Sequence, residues 1–563
     1  MRNSYTFRVI TNKEEYLRRM NGQTPLPASA SQVKRNMNYK LHVIVPAMDE
    51  ADTLPGVLKE IKRLQPDQII VVVNGSKDHT AHVAESHGAK VINYSQPLGN
   101  DVGRAIGALN GEADIYLFTD GDIVIKAEDY LPFIQDVENG IDMAINSIDW
   151  ITKVDKADII SQSRFFLNAI QERRDLRAEN ILTIPHAFSR KGLEMIGKSE
   201  LSNPVLANTI AIDKKLQISV PHTIDVLGMN KMRTNHLPKP GEVIGEAMQR
   251  MHGDFIEALD YLIDTYGPTL HYPKPMEGFH LLYSDRLKWQ ALSKAKEKSV
   301  IFYVPNGAEL SDIRMLFESN QIEWVPIVSS SHKEAVDLIA HQSIPYMTVD
   351  EACSLDIAFY IGSQLAQGNR LLFHSAEIPI TIEEIQVFFD EVEKIGVDVC
   401  INDQSGAQNS IEKMRLAHIG NTLLNVTAGY HKQPNSSLLI PPFVMKRSIF
   451  STFNRSSLQS LGESHMKLLE SGHHIIAPLS ISANRYIEKN EERIIASVIK
   501  GFSYWINKTG ARGNYSDGGR SRNLLEEQPL YLKKEFGAHV KMDGEYLIVP
   551  SQSIDIRLAI KHP

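Results

Sequence analysis

Cysteine is nearly absent from this chain: Cys353 and Cys400 are the two among 563 residues, and both lie in apolar stretches. That sets aside a disulfide framework and a cysteine metal site, and leaves two small buried hydrophobes. There is no run of about 18 apolar residues, so no segment reads as a membrane-spanning helix. The opening "MRNSYTFRVITNKEEYLRRMNGQ" lacks the apolar centre of a secretory signal, which predicts a cytoplasmic protein. Strong charge of one sign is missing as well. A net charge of −8 is mild for this length and speaks against a nucleic-acid partner. A basic excess is confined to the first forty residues, where Arg2, Arg8, Lys13, Arg18, Arg19, Lys34, Arg35 and Lys40 face only Glu14 and Glu15. It reads as a solvated extension, with an acidic partner or membrane headgroups as the alternative.

What is present is a folded composition, 42% hydrophobic and 23% charged. A single core stops growing at roughly 250–300 residues, so at least two domains are expected. From residue 41, apolar runs alternate with amphipathic segments: "LHVIVPAMDE", "ADTLPGVLKEIKRLQ", "QIIVVVNGS", "KDHTAHVAESHG", "AKVINY", "DVGRAIGALNGE", "ADIYLFTDGD". The pattern predicts parallel strands covered by helices on both faces, an α/β sheet of the doubly wound, Rossmann-like type. In such sheets ligands bind beyond the carboxyl ends of the strands, where Asp49, Glu50, Asn74, Ser76, Asp120 and Asp122 all fall.

An internal repeat organises the rest. "GALNGEADIYLFTDGDIVI" (107–125) aligns without a gap on "GSQLAQGNRLLFHSAEIPI" (362–380). After one residue of slippage "DMAIN" (142–146) falls on "DVCIN" (398–402) and "TIPHAF" (183–188) on "LIPPFV" (439–444). "QISVPHTI" (217–224) then matches "HIIAPLSI" (474–481), and the helices "ALDYLIDTYG" and "GFSYWINKTG" follow each copy. The expected organisation is a basic extension over 1–40, a first domain over 41–267, a linker over 268–298, a second and degenerate copy over 299–510, and a C-terminal extension over 511–563. In that extension "GARGNYSDGGRSRN" reads as a mobile loop and "HVKMDGEYLIVP" as a hairpin turning at Asp543-Gly544.

In "YLFTDGDIVI" (116–125) two carboxylates, Asp120 and Asp122, stand one residue apart where a strand ends, with Gly121 between them. Hard oxygen ligands in that position suit Mg²⁺ or Mn²⁺ shared with phosphate oxygens. Alone the triplet is weak, because strand ends often carry aspartate.

Its company is more specific. "VIVPAMDEADTL", "IIVVVNGSKDHT" and "LGNDVGRAIGA" precede "FTDGD", and the series resembles glycosyltransferase family 2 and its relatives of GT-A fold, in order and spacing. Asp49 stands where the family has Asn, Val73 where an aspartate often contacts the base, and Asn100-Asp101 where Lys-Gly is frequent. The resemblance covers residues 41–126 most strongly and fades beyond 240. It implies a GT-A fold, duplicated if the internal repeat is counted, and a nucleotide-diphosphate sugar donor. Pro46, Ala47, Asp49 and Glu50 would line the base and ribose beside Asn74, Ser76 and Asp78. Asp120 would approach the ribose or metal, Asp122 would ligate a divalent metal, and Arg104 would approach the diphosphate. A further metal ligand in this fold is often a histidine; His236 is the first choice, with His222 and His186 in reserve.

The family's late acidic motif is absent from the first copy, whereas the second carries "LGESHMKLLESGHHI" with Glu463 in the acidic slot. The second copy in turn has Ser375-Ala376-Glu377 where the first has Asp120-Gly121-Asp122. Three accounts stay open: a retaining enzyme with no protein base, a base among Asp149, Asp175 and Glu179, or Glu463 supplied from the other copy. The leading expectation is a metal-dependent glycosyltransferase with an unknown acceptor, homo-oligomer formation being left open. One alternative is a non-catalytic sugar-nucleotide or glycan binding protein. The other is a nucleotidyltransferase, disfavoured because "PAMDEADTL" has no Gly-rich basic loop.

Overall fold

A computed structural model describes residues 33–154, 158–229, 245–274, 289, 296–309, 317, 319–407, 410–453, 459–526, 541–543, 546–549 and 556–559. The chain divides into two compact units that are not consecutive in sequence. One takes the described residues between 21 and 148, 179 and 236, and 516 and 563; the other takes those between 149 and 178 and between 237 and 515.

The first unit is built on β1 (Leu41–Ala47), β2 (Gln68–Asn74), β3 (Lys90–Tyr94), β4 (Ile115–Phe118), β5 (Met143–Asn146), β6 (His186–Ser189) and β7 (Ile218–His222). They form a seven-stranded sheet in the order β3-β2-β1-β4-β6-β5-β7. Strand β6 runs antiparallel to β4 and β5, and the other pairings are parallel. Helices cover it because their sequences are apolar on one face. In α1 (Leu54–Arg63) the buried residues are Leu54, Val57, Leu58 and Ile61, the spacing of a single helical stripe, and a proline opens the helix where its missing N–H is not needed. In α3 (Val102–Leu109) Val102 through Ala108 are all buried, and Gly107 lies directly against Ile44 of β1. The core joins Val43, Val45, Val71, Leu117, Phe133 and Ile134, each stabilising the fold by about 1.5–3 kcal/mol when fully buried. Strand order reverses between β1 and β4, so the carboxyl ends of β1, β2 and β4 flank the crevice where doubly wound sheets take ligands.

The second unit carries β8 (Lys298–Val304), β9 (Ile322–Ser329), β10 (Met347–Val349), β11 (Arg370–Ser375), β12 (Val399–Asn402), β13 (Phe443–Lys446) and β14 (Ile475–Leu479). The order is β10-β9-β8-β11-β13-β12-β14, the same permutation as the first sheet, and here β13 is the antiparallel strand. Details repeat as well. Asn146 donates from its amide to Ile184 O and Ile224 O, both at 2.9 Å, and accepts from Ile224 N–H. Asn402 does the same with Pro441 O, Ile481 O and Ile481 N–H.

One part of the expected alignment shifts. Phe118 pairs with His186 across β4 and β6, and Phe373 pairs with Phe443 across β11 and β13. His186 therefore corresponds to Phe443, one residue further along than matching "TIPHAF" to "LIPPFV" places it. A one-residue insertion in the intervening connection of the second copy accounts for the change, because strand register is fixed by pairing and connections are not.

The second unit also takes in two helices from the first half of the sequence, α5 (Ile159–Ile170) and α6 (Glu246–Tyr266). They pack with α9 (Leu416–Thr427) and α11 (Asn484–Thr509), once α7 (Leu355–Leu365) and α8 (Ile382–Glu393) have covered the sheet. Phe255 of α6 meets Phe166 of α5 at 6.4 Å and Phe502 of α11 at 5.6 Å between ring centroids, both edge to face. The three C-terminal strands, Lys541–Asp543, Tyr546–Val549 and Ile556–Ala559, pair antiparallel. The first two form the expected hairpin, with the turn residues 544 and 545 outside the described residues.

Candidate functional site

At the end of β1 the backbone turns sharply through Asp49, whose φ of 54° is left-handed, and the loop is then tied to the loop after β2. Asp49 N–H donates to Ser76 Oγ (3.0 Å), Lys77 N–H donates to Asp49 Oδ1 (2.7 Å), and Glu50 N–H donates to Thr80 Oγ1 (2.8 Å). Asp78 accepts from Ala51 N–H (2.9 Å) and Thr80 N–H (2.9 Å). Burial pushes the Asp78 carboxyl up, but these hydrogen bonds with that of the Thr80 hydroxyl outweigh it and lower its pKa. Four residues assigned from sequence to the base and ribose, Asp49, Glu50, Ser76 and Asp78, thus shape the loop walls through their own hydrogen bonds. Asn74 does the same one loop further: its amide donates to Gly99 O (3.1 Å) and its carbonyl accepts from Leu98 N–H. Pro46 and Ala47 form the floor, with Gly121 N–H donating to Pro46 O at 3.2 Å. A Cβ on Gly121 would stand 3.0 Å from Ala47 Cβ. The glycine is needed for this close approach, since its φ is not among the positive values.

Behind this floor lies a buried ion-pair chain. Arg104 on α3 is 6% exposed. Its Nη2 donates to both oxygens of Asp120 (3.1 and 3.3 Å), and its Nη1 donates to Asp101 Oδ1 (2.9 Å). Burial opposes the Arg104 charge, but Asp120 and Asp101 outweigh it and hold the proton more firmly than usual. Asp101, at φ 68° before α3, also accepts from Arg520 Nη2 (2.8 Å). Arg520 was missed in the sequence, and the loop that carries it was expected to be mobile. Instead its side chain is fully buried against Asp101 and Asp517, and Ser521 N–H donates to Leu98 O at 2.8 Å. The aspartate and two arginines of "SDGGRSR" were the available signal, but nothing in them names Asp101 as the partner.

The histidines separate. His186 lies beside this chain, buried and stacked on Phe118 at 5.1 Å, with Nδ1 facing Thr183 O (3.3 Å) and Nε2 without a hydrogen-bond partner. Burial first, and the Arg104 charge second, lower its pKa to about 3. His222 pairs with Asp129 Oδ1 at 3.3 Å. His236, the first choice, lies outside the described residues. Among the described residues no cluster of three or more His, Cys, Asp or Glu is placed to hold a metal. Asp120 and Asp122 offer hard oxygens after β4, which fits a Mg²⁺ or Mn²⁺ ion completing its shell with diphosphate oxygens and water. Of the two, Asp120 is the one held by Arg104.

The base candidates are each engaged. Asp149 pairs with Lys153 and Arg177, both at 2.7 Å, and Asp175 pairs with Arg173 at 2.9 Å. Glu179 is 3% exposed and accepts from Ser147 Oγ at 3.3 Å. Glu463, in the helix α10 (Leu461–Glu470), pairs with Lys467 at 3.1 Å. In the second unit Glu377, in the slot of Asp122, pairs with Lys489 (2.6 Å) and accepts from Asn490 (3.1 Å).

Comparison with known proteins bears on the first sheet. The family model described as "Glycosyl transferase family 2" matches residues 42–193. Glucosyl-3-phosphoglycerate synthase of Mycolicibacterium paratuberculosis is 31% identical over 106 residues, which are 17% of this chain and 32% of that protein. The match thus spans about a third of the relative's length. Among solved structures, glucosyl-3-phosphoglycerate synthase of Mycobacterium tuberculosis, in complex with Mn²⁺, uridine diphosphate and glucosyl-3-phosphoglycerate, is 18% identical over 43% of this chain and 83% of its own, at a TM-score of 0.29. Mannosyl-3-phosphoglycerate synthase of Rubrobacter xylanophilus is 18% identical over 41% and 76%, at 0.32. Residues 42–193, which carry the interlocked loops after β1 and β2 and the Asp120–Asp122 strand end, are thus the part of the chain that matches glycosyl transferase family 2, on a seven-stranded α/β sheet of doubly wound type.

Proposed function

We propose that the chain is a metal-dependent glycosyltransferase that moves a sugar from a nucleotide-diphosphate donor to an acceptor hydroxyl. The observation that carries this reading is the coincidence of the family match over 42–193 with Asp120 and Asp122 at the sheet's switch point. The loops after β1 and β2 would hold base and ribose between backbone groups that their own side chains fix. Asp120, oriented by Arg104, would stand at the ribose or metal, and Asp122 would ligate the metal. A bound Mg²⁺ or Mn²⁺ would neutralise charge developing on the diphosphate leaving group. Arg104 would act through Asp120, because both of its terminal nitrogens are already committed to carboxylates.

The 31% identity with a protein named glucosyl-3-phosphoglycerate synthase supports a glucosyl donor and a 3-phosphoglycerate acceptor as the first pair to assay. The loss of the family's frequent aspartate at Val73 is why the base should be screened. The test is a thermal-shift series with UDP-, GDP-, ADP- and dTDP-sugars, with and without Mn²⁺, on the native chain and on Asp122→Ala. A ligand of the native state raises the midpoint by mass action. A metal-dependent shift with one nucleotide, lost in Asp122→Ala, is the expected result. No shift with any nucleotide would overturn the reading in favour of a non-catalytic binding protein.

A further inference from the structure

The C-terminal segment that begins at Ser516 returns to the edge of the proposed donor site and is held there by more than surface contact. Arg520 Nε donates to Asn100 O (3.0 Å), Nη2 to Asp101 Oδ2 (2.8 Å) and Nη1 to Asp517 Oδ1 (3.0 Å). Arg522 pairs with the same Asp517 at 2.8 Å. The Gly-rich loop is shaped to receive this segment: at Gly99, φ is 79°, and a Cβ would lie 2.7 Å from Arg520 Cα and 2.8 Å from Arg520 N. A side chain there is excluded by backbone on one side and by its own conformation on the other.

We infer that Arg520 is a positioning residue of the donor site, acting on Asp120 through Asp101 and Arg104. The charges alternate along the series Arg520, Asp101, Arg104, Asp120, with contacts of 2.8, 2.9 and 3.1 Å. Asp101 is 8% exposed by side chain and faces both guanidinium groups. Without Arg520 it would turn wholly to Arg104, and Arg104 would share less of its charge with Asp120. The loop that Asp101 terminates, Leu98 to Asp101, would lose two of its ties, the Nε bond to Asn100 O and the Asp101 pair, and keep the backbone bond from Ser521 N–H to Leu98 O. An acidic residue next to the helix whose Arg104 is expected to approach a diphosphate is otherwise a repulsive choice; a buried arginine delivered from the C-terminal segment offsets it.

The inference rests on the proposed donor site, and two readouts on the full chain keep the two apart. The first, without ligand, is hydrogen–deuterium exchange of the amides from Leu98 to Arg104. Arg520→Gln should raise their exchange several-fold, and Arg520→Lys, which keeps the charge but not the fork of donors, should fall between. The second is titration with UDP, GDP and ADP, each with Mn²⁺. The nucleotide that binds the native chain should bind Arg520→Gln about tenfold more weakly. Unchanged exchange in Arg520→Gln, or unchanged nucleotide affinity despite raised exchange, overturns the positioning role. A native chain that binds none of the three overturns the donor-site reading and this inference with it. Should Arg520→Gln fail to fold, Arg520→Lys and Asp517→Asn are read on the same two scales.

Discussion

Arg104 Nη2 lies 3.1 Å from one oxygen of Asp120 and 3.3 Å from the other, so a single buried nitrogen straddles the carboxylate at the mouth of the sheet. Replacing the guanidinium by an apolar chain of similar length leaves two carboxylates short of a partner. Arg104→Met should lower stability by about 3 kcal/mol, the low end for a broken buried pair because Asp120 is 31% exposed by side chain. Urea denaturation measures the loss. Adding Asp120→Asn in the same chain should recover part of it, which would not happen if Arg104 mattered only for packing.

The matched asparagines give a second expectation. Asn146 and Asn402 are each 0% exposed and each serves two carbonyls and one N–H. Alanine at either position strands three buried backbone groups, at roughly 1–3 kcal/mol for each group that finds no water. Both variants should therefore lose several kcal/mol in chemical denaturation, each in the transition of its own sheet.

Acid should weaken the fold partly through His186. Its proton is bound in the unfolded chain below the ordinary value of 6.5 and in the folded chain only near 3. Between these values the unfolded state holds more protons, so stability is complete above pH 6.5 and falls as the pH is lowered toward 3. One such group contributes a slope of about 1.4 kcal/mol per pH unit in the window. His186→Phe should reduce the measured slope between pH 6 and 4 by about that amount. The fold tolerates the ring, since Phe443 stacks on Phe373 at the corresponding place, 4.7 Å between centroids.

Glu377→Ala should leave nucleotide affinity and its metal dependence unchanged. The carboxylate in the slot of Asp122 is held by the Lys489 ammonium at 2.6 Å, which supplies from within the charge a metal ion would bring. Isothermal titration of the variant with UDP and Mn²⁺ is the check. An affinity lost as completely as in Asp122→Ala would show that the second sheet holds the nucleotide.

Much of this architecture was legible because buried parallel strands are written as apolar runs: "LHVIVPA", "QIIVVVN" and "IYLF" are strands β1, β2 and β4 as expected. The repeat was legible for the same reason, down to the asparagine of "DMAIN" and "DVCIN". Asp120 and Asp122 stood out because polar residues interrupt such a run. What stayed hidden depends on side chains meeting across long separations. Arg520 and Asp101 are 419 residues apart, and a single long-range ion pair leaves no periodic trace. The hydrogen bonds that tie Asp49, Ser76 and Asp78 into one loop network were not legible either, because hydrogen-bonding residues at a strand end look alike whether they face a ligand or their own backbone. The counterpart of His186 in the second copy was misplaced by one residue, on Pro442 instead of Phe443, because a connection can lengthen without any change in hydrophobic pattern.

The two sheets share a strand permutation and a set of buried asparagine bonds, while Asp122 and Arg104 have Glu377 and Phe359 as counterparts. One polypeptide therefore carries its own matched control. A substitution scored at both members of a pair is made in the same solvent, at the same concentration and on the same backbone plan. Where both members respond alike, the residue serves the scaffold; where only the first responds, the difference is chemistry with folding already subtracted.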